Sequence, residues 1–193
     1  MDMRIIENVN PFISVVNVVL SASLGSSVDI KKAASRLDEV SFSSAGFPGV
    51  VLRLERPRVA VLIFRSGKMI CSGARSEAEA TVALDKAISL LASVHATKRA
   101  KPSVRVVNIV ASVDLGSDVN LEGSFEVLPK SIYEPDQFPA LLYQMERPKV
   151  SFIIFCTGKM VCTGAKTRHE LVRAVKKLAR TLARNRLLIQ RNN

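Results

Sequence analysis

Few side chains in this 193-residue chain could do covalent or acid–base chemistry: Cys71, Cys156 and Cys162, with His95 and His169. A nucleophilic thiol needs a base within hydrogen-bond reach, and that base needs a group to orient it. No such grouping recurs. No His, Asp or Glu repeats beside Cys71 or Cys162, His95 falls near the end of one expected helix, and His169 falls in the first turn of another. Neither a phosphate-binding glycine-rich loop nor metal-ligand spacing is present. The expectation is therefore a protein that is not an enzyme, takes no cofactor or metal, and keeps all three cysteines as reduced, buried thiols inside the cell. What remains is the chemistry of binding, through cations, amides and aromatic rings. The net charge is +11, with 11 basic and 9 acidic residues in positions 1–97 against 17 and 8 in positions 98–193. A basic balance of this kind most often meets nucleic acid, although charge alone does not specify it.

The elements that position these groups are announced by a repeat. RPRVAVLIFRSGKMICSGAR, Arg56 to Arg75, returns as RPKVSFIIFCTGKMVCTGAK, Arg147 to Lys166, with 11 of 20 positions identical. The offset of 91 holds well outside that stretch, where Val16-Asn17 meets Val107-Asn108 and Gly25 meets Gly116. A period this long indicates two half-domains related by a pseudo-two-fold axis rather than a solenoid. The boundaries read as an N-terminal segment 1–14, a first repeat 15–96, a polar linker 97–103, a second repeat 104–186 and a basic tail 187–193. At 48% hydrophobic and 23% charged the composition is that of a globular chain. No apolar run approaches the ~18 residues of a membrane span, and the start lacks the pattern of a secretory signal.

Within each repeat the order is strand, short helix, strands, long helix. Val15 to Leu24 is β-branched and apolar, and predicts a strand. Asp29 predicts the cap of a helix over Ile30 to Glu39, and Asn120 the cap of its twin. Ser43-Ser44-Ala45-Gly46 and Glu134-Pro135-Asp136-Gln137 predict loops. A meander follows, over Phe47–Glu55, Arg58–Arg65 and Lys68–Ala74. A helix from about Ser76 to Ser93 closes the first unit, and one from Arg168 to about Arg186 closes the second, each with an apolar stripe.

Strand parity carries the functional argument. In Arg58 to Arg65 the odd positions Val59, Val61 and Ile63 are apolar, and so are the even positions Ala60, Leu62 and Phe64. The few helices can cover only one face of the sheet, which leaves an apolar face open for binding. If the hairpin turns centre near 55.5 and 146.5, Phe47 pairs with Phe64 and Phe138 with Phe155 across neighbouring strands, on that open face.

These features together resemble the core of the TATA-box-binding protein family, over about Val15 to Ala183. The resemblance rests on the duplicated unit, the matched Asn17 and Asn108, the loop Tyr133-Glu134-Pro135-Asp136-Gln137-Phe138-Pro139, and GKMICSGAR with GKMVCTGAK. It implies an α+β fold, a pseudo-two-fold saddle of two repeats, each a curved antiparallel sheet with helices on the convex face. It also implies a general transcription initiation factor that lies in the minor groove of A·T-rich promoter DNA and kinks it with apolar wedges, a strategy for which this family is itself the standard instance. Val19, Leu62, Ile70, Val110, Ile153 and Val161 would line the groove. Asn17 and Asn108 would donate to base acceptors beside the hydroxyls of Ser72 and Thr163. Phe47 with Phe64, and Phe138 with Phe155, would be the wedges. Arg53, Arg58, Lys68, Arg75, Lys149, Lys159 and Lys166 would meet phosphates.

The implied partners are double-stranded promoter DNA, transcription factor B and, indirectly, RNA polymerase. Glu134, Asp136 and Gln137 would dock factor B, and Arg173, Lys177 and Arg180, on a basic helix, are candidates for contacting an acidic regulator or flanking DNA. The chain departs from the family pattern in four features: the first loop, Ser43 to Gly46, lacks the usual proline and the basic residue often found just before Phe47, Gln144 stands where an arginine is usual, and the end from Arg184 is basic where many archaeal relatives are acidic. The first three imply weaker phosphate contacts. The short N-terminal stretch points to an archaeal source, with the protein in the cytoplasm and nucleoid; a eukaryotic source would put it in the nucleus. The alternative reading is a paralogue, or a domain of this fold, that prefers other DNA or binds only protein.

Overall fold

The computed structural model describes residues 10–42, 48–98 and 101–191. Phe47 and the loop Ser43 to Gly46 lie outside the described residues, as does most of the N-terminal segment. The chain divides into two compact units, one of Val16–Asn108 and the other of Ile109–Asn193 with the residues up to Val15. The class is α+β.

In the first repeat, β1 (Phe12–Ser23), α1 (Ile30–Arg36), β2 (Val40–Phe42), β3 (Gly49–Glu55), β4 (Arg58–Phe64), β5 (Lys68–Ala74) and α2 (Glu77–Ser93) follow in order. The strands form an antiparallel array in the order β2-β3-β4-β5-β1. The second repeat runs β6 (Ser103–Asp114), β7 (Asp118–Val119), α3 (Leu121–Val127), β8 (Ser131–Ile132), β9 (Ala140–Met145), β10 (Val150–Phe155), β11 (Lys159–Ala165), α4 (Arg168–Arg184) and β12 (Leu188–Ile189). Its main array is β6-β11-β10-β9-β8, the same topology.

The helices start where their caps dictate. Asp29 accepts from the Lys32 N–H and Asn120 from the Gly123 N–H, each at 3.0 Å. Ser76 accepts from the Glu79 N–H, and the Glu79 carboxylate reaches back to the Arg75 N–H. Thr167, Glu170 and Lys166 repeat the arrangement. Reciprocal capping of this kind satisfies N–H groups that have no partner inside the helix. The α1 helix stops at Arg36 rather than reaching Glu39, because Leu37 is already extended and the chain is turning into β2.

Packing decides which face of each sheet is buried. Val59, Val61, Ile63, Met69 and Cys71 lie under Ala80, Leu84, Ala87 and Leu91 of α2. Phe152, Ile154, Met160 and Cys162 lie under Leu171, Val175, Leu178 and Leu182 of α4, and Phe152 stacks on Tyr143 with ring centroids 6.2 Å apart. Val172, an apolar residue of α4 beside that stripe, is only half-buried.

Three details differ from the sequence expectation. Each hairpin turn has its proline at the centre, so the register is Glu55↔Arg58 and Val150↔Met145, one residue later than expected. Phe64 is therefore opposite Gly49, and Phe155 opposite Ala140. Cys156 is exposed, because it falls in the turn after β10 instead of in a strand; Cys71 and Cys162 are buried. The stretch after Arg186 is docked: β12 pairs with β7, the Asn120 N–H donates to the Leu187 carbonyl, and Arg191 donates to Asp114, Asp118 and the Thr157 carbonyl. Among the described residues no helix is long and apolar enough to cross a membrane.

Candidate nucleic-acid interface

Side chains of the second strand parity remain only half-buried in both repeats, and the strand register lines them up. In the first repeat one cross-strand row is Val51, Leu62, Ile70 and Ser21. In the second it is Ile132, Leu142, Ile153, Val161 and Ser112. Ile132 is 56% exposed and Leu142 38%, high values for aliphatic side chains in a sheet. Leu62, Ile70, Ile153 and Val161 were expected here; Val51, Ile132 and Leu142 were not singled out. Alternation along β3 and β9 could have found Val51 and Leu142, whereas Ile132 lies in a two-residue strand that carries no period.

One residue-scale device recurs beside these rows. In β5, Ser72 and Gly73 stand opposite the single residue Val19, because Val18 pairs with Ala74 and Leu20 with Cys71. The second repeat inserts Gly164 in the same way between Thr163, paired with Val110, and Ala165, paired with Ile109. Gly73 has φ +108° and Gly164 φ +103°, and a Cβ on Gly73 would come within 3.1 Å of the Arg58 carbonyl oxygen. Only glycine is comfortable there. The bulge takes the Gly73 N–H out of the regular ladder, and Asn17 Oδ1 accepts it at 2.9 Å. With its oxygen committed, the Asn17 amide turns its nitrogen to Ser72 Oγ, 3.3 Å away. An amide NH2 has two protons, so this geometry leaves Asn17 as a donor at the surface. Val19, Asn108, Val110, Ser72 and Thr163 are likewise half-buried.

The rings sit off the row, at a strand end: Phe155 closes β10, two residues beyond Ile153. Phe138 is 44% exposed and meets the half-buried Phe155 edge to face, with centroids 6.3 Å apart. The pair is diagonal rather than directly opposite, as the shifted register requires. Phe64 occupies the position of Phe155 in the first repeat and is half-buried.

Cations frame the face. Arg53, Arg58, Ser72 and Gly73 line a groove in the first repeat, and Gln144, Lys149, Thr163, Gly164 and Lys166 line its twin. Lys130 also borders the second groove and is paired with Glu146, whose carboxyl it holds below its ordinary value by hydrogen bond and charge. Lys68, Arg75 and Lys159 are exposed at strand ends. Glu134, Asp136 and Gln137 are exposed on a turn closed by the Gln137 and Phe138 N–H groups, which both donate to the Glu134 carbonyl. Arg173 and Arg180 are exposed on α4, and Lys177 Nζ donates to the Arg147 carbonyl at 2.9 Å.

Two of the thiols, Cys71 and Cys162, are buried. Burial, with the Glu79 charge adding to it, pushes Cys71 up to about 11, and burial alone pushes Cys162 up to about 12. Both stay protonated at neutral pH. Among the described residues no group of His, Cys, Asp and Glu could hold a metal ion.

Comparison with known proteins agrees with this geometry. The family model for "Transcription factor TFIID (or TATA-binding protein, TBP)" matches twice, over residues 12–94 and 103–185. The chain is 42% identical to a TATA-box-binding protein of Pyrobaculum islandicum over 89% of this chain and 86% of that one. It is 41% identical to the TATA-box-binding protein of Methanocaldococcus jannaschii, over 93% of this chain and 97% of that one. The solved structure of Methanococcus jannaschii TBP superposes with a TM-score of 0.83 at 40% identity, covering 89% of this chain and 98% of that one. Two matched repeats and long, even coverage by archaeal relatives mean that this chain belongs to the TATA-box-binding protein family, a family of DNA-binding transcription factors and not of enzymes.

Proposed function

We propose that this protein is a general transcription initiation factor that seats its half-buried sheet parity in the minor groove of A·T-rich, TATA-type promoter DNA, kinks the duplex, and recruits transcription factor B and through it RNA polymerase. The observation that carries the proposal is the combination, on one face, of apolar rows with a donor amide held by the bulge. In the minor groove A·T and T·A pairs offer only the acceptors adenine N3 and thymine O2, whereas G·C adds an amino donor. A face of aliphatic side chains with Asn17 as donor suits the first and leaves the guanine amino group without a partner. Phe138 and Phe155 supply the apolar edge that could enter a base step, and Arg53, Arg58, Lys149 and Lys166 supply charge for phosphates. The archaeal relatives support placing this work in the cytoplasm and nucleoid.

The deciding measurement titrates the protein with A·T-rich and G·C-rich duplexes carrying a dye at each end. Energy transfer between the dyes should rise on the A·T duplex, and affinity for the G·C duplex should be at least tenfold lower. Replacing Phe138 and Phe155 by alanine should remove the rise in transfer and leave the melting transition nearly unchanged, since Phe138 is already exposed without DNA. Equal affinities, or no change in transfer at saturation, would overturn the proposal and favour a paralogue with another DNA preference or a protein-only role.

A further inference from the structure

The helix α4 carries a second charged surface that the open face does not use. Its buried side, Leu171, Ala174, Val175, Leu178, Ala179 and Leu182, packs on the sheet. The opposite side exposes Arg173, Lys176, Lys177, Arg180 and Arg184. The spacing of Arg173, Lys177, Arg180 and Arg184 is four, three, four, which draws a nearly straight line along the helix, about 16 Å long. We propose that this stripe is a sequence-independent site for the phosphate backbone of a DNA duplex other than the one seated on the open face, so that one molecule can hold two DNA segments. The proposal goes beyond promoter binding and does not depend on it.

Three observations support it. First, the stripe is unfavourable for the helix itself, because Arg173 with Lys177, Lys176 with Arg180 and Arg180 with Arg184 are like charges one turn apart. Among the described residues no ion pair engages any of them. The one acid in α4, Glu170, is occupied with the Lys166 N–H. Second, the fold does not require cations here. The twin helix α2 carries Glu77, Glu79 and Asp85 against the single cation Lys86, with the apolar Val82 60% exposed. Third, the stripe has no apolar anchor: none of the large exposed hydrophobic residues lies on α4. Protein interfaces concentrate their affinity in arginines and aromatic rings set in a buried core with few other charges, whereas a phosphate backbone needs only cations at a regular pitch and no such core. That difference selects nucleic acid over an acidic protein. Because α4 covers the buried parity, a duplex on the open parity lies on the other side of the sheet and does not reach the stripe.

The test uses the full chain preloaded with one equivalent of an unlabelled A·T-rich duplex, which fills the tighter open face and leaves the stripe free, and a labelled G·C-rich duplex is then added at low salt. The preloaded protein should bind the second duplex, with affinity falling steeply as salt rises. The variant Arg173→Gln, Arg180→Gln, Arg184→Gln should bind it at least tenfold more weakly, with the slope of log affinity against log salt reduced by about three. Lys177 is left in place because it holds the Arg147 carbonyl. The corresponding triple Arg→Lys variant should recover most of the binding, and both variants should bind the A·T-rich duplex as the parent does. Failure of the preloaded protein to bind the second duplex, or equal binding by the glutamine variant, would overturn the proposal. So would tighter, stripe-dependent binding of a poly-glutamate peptide, which would assign the surface to an acidic protein. If the A·T-rich duplex itself does not bind in the first step, the open-face reading fails and the stripe is still tested by the parent and variant on the G·C-rich duplex.

Discussion

At the scale of single residues, the most informative contact is the one between Asn17 and the Gly73 N–H. It fixes which end of the amide faces outward without any help from DNA. Asn17→Asp keeps an acceptor for Gly73 and removes the donor, so the fold should lose no more than about 1 kcal/mol. Affinity for an A·T-rich duplex should fall tenfold or more, because a carboxylate would face groove acceptors. A thermal melt alongside a binding titration checks both halves; a variant that melts early and binds normally would show the contact to be structural only. The asparagine was legible in the sequence from its exact recurrence 91 residues later. What orients it was not, because the bulge depends on a pairing between strands more than fifty residues apart. Cys156 teaches the same lesson. Burial was assumed from its type, but it stands at the end of β10, where one residue decides between strand and turn.

At the scale of elements, the glycine bulge and the docked terminal strand invite direct tests. Gly73→Ala places a Cβ 3.1 Å from the Arg58 carbonyl oxygen at a φ of +108°. It should destabilise the protein by about 1–3 kcal/mol in a urea titration. An unchanged midpoint would mean that β5 can flatten without cost. The clasp around β12 should be sensitive to acid. The Gly116 N–H, followed by Arg191, holds the Asp114 carboxyl below its ordinary value of 3.8. A carboxylate depressed in the folded state contributes stability at pH values above 3.8, and that contribution is lost as pH falls through the lowered folded value. Amide exchange at Leu188 and Ile189 should therefore accelerate selectively in that acidic window, ahead of the strands of the main sheet. Uniform acceleration would assign the loss to global unfolding. Strands, long helices and the Asp29 and Asn120 caps were legible because alternation, apolar stripes and a capping side chain just before a helix are local signals. β12 was not: two residues carry no period, and only their partner Asp118–Val119 makes them a strand.

At the scale of the whole molecule, duplication gives two repeats with one backbone plan and unlike surfaces. The second repeat presents Glu134 and Asp136 beside Phe138, while the matching loop of the first, Ser43 to Ala45, has no acid. Under the proposed docking, a factor with a basic surface would tell the second repeat from the first. Exposed charge pairs contribute only about 0–1 kcal/mol each, so such docking would act through selection of the repeat more than through raw affinity. Reversing both residues to lysine should abolish the ternary band with transcription factor B in a gel shift and leave the binary DNA band unchanged; an undiminished ternary band would exclude this loop. The clasp described above has a practical side. Arg191 grips the Thr157 carbonyl, two residues from Phe155. That contact holds Arg191 beside the turn that follows β10 and its last ring. A small environment-sensitive dye attached at the neighbouring exposed Gln190 would be a built-in reporter, its emission changing when a duplex arrives at the second repeat, with no label on the DNA.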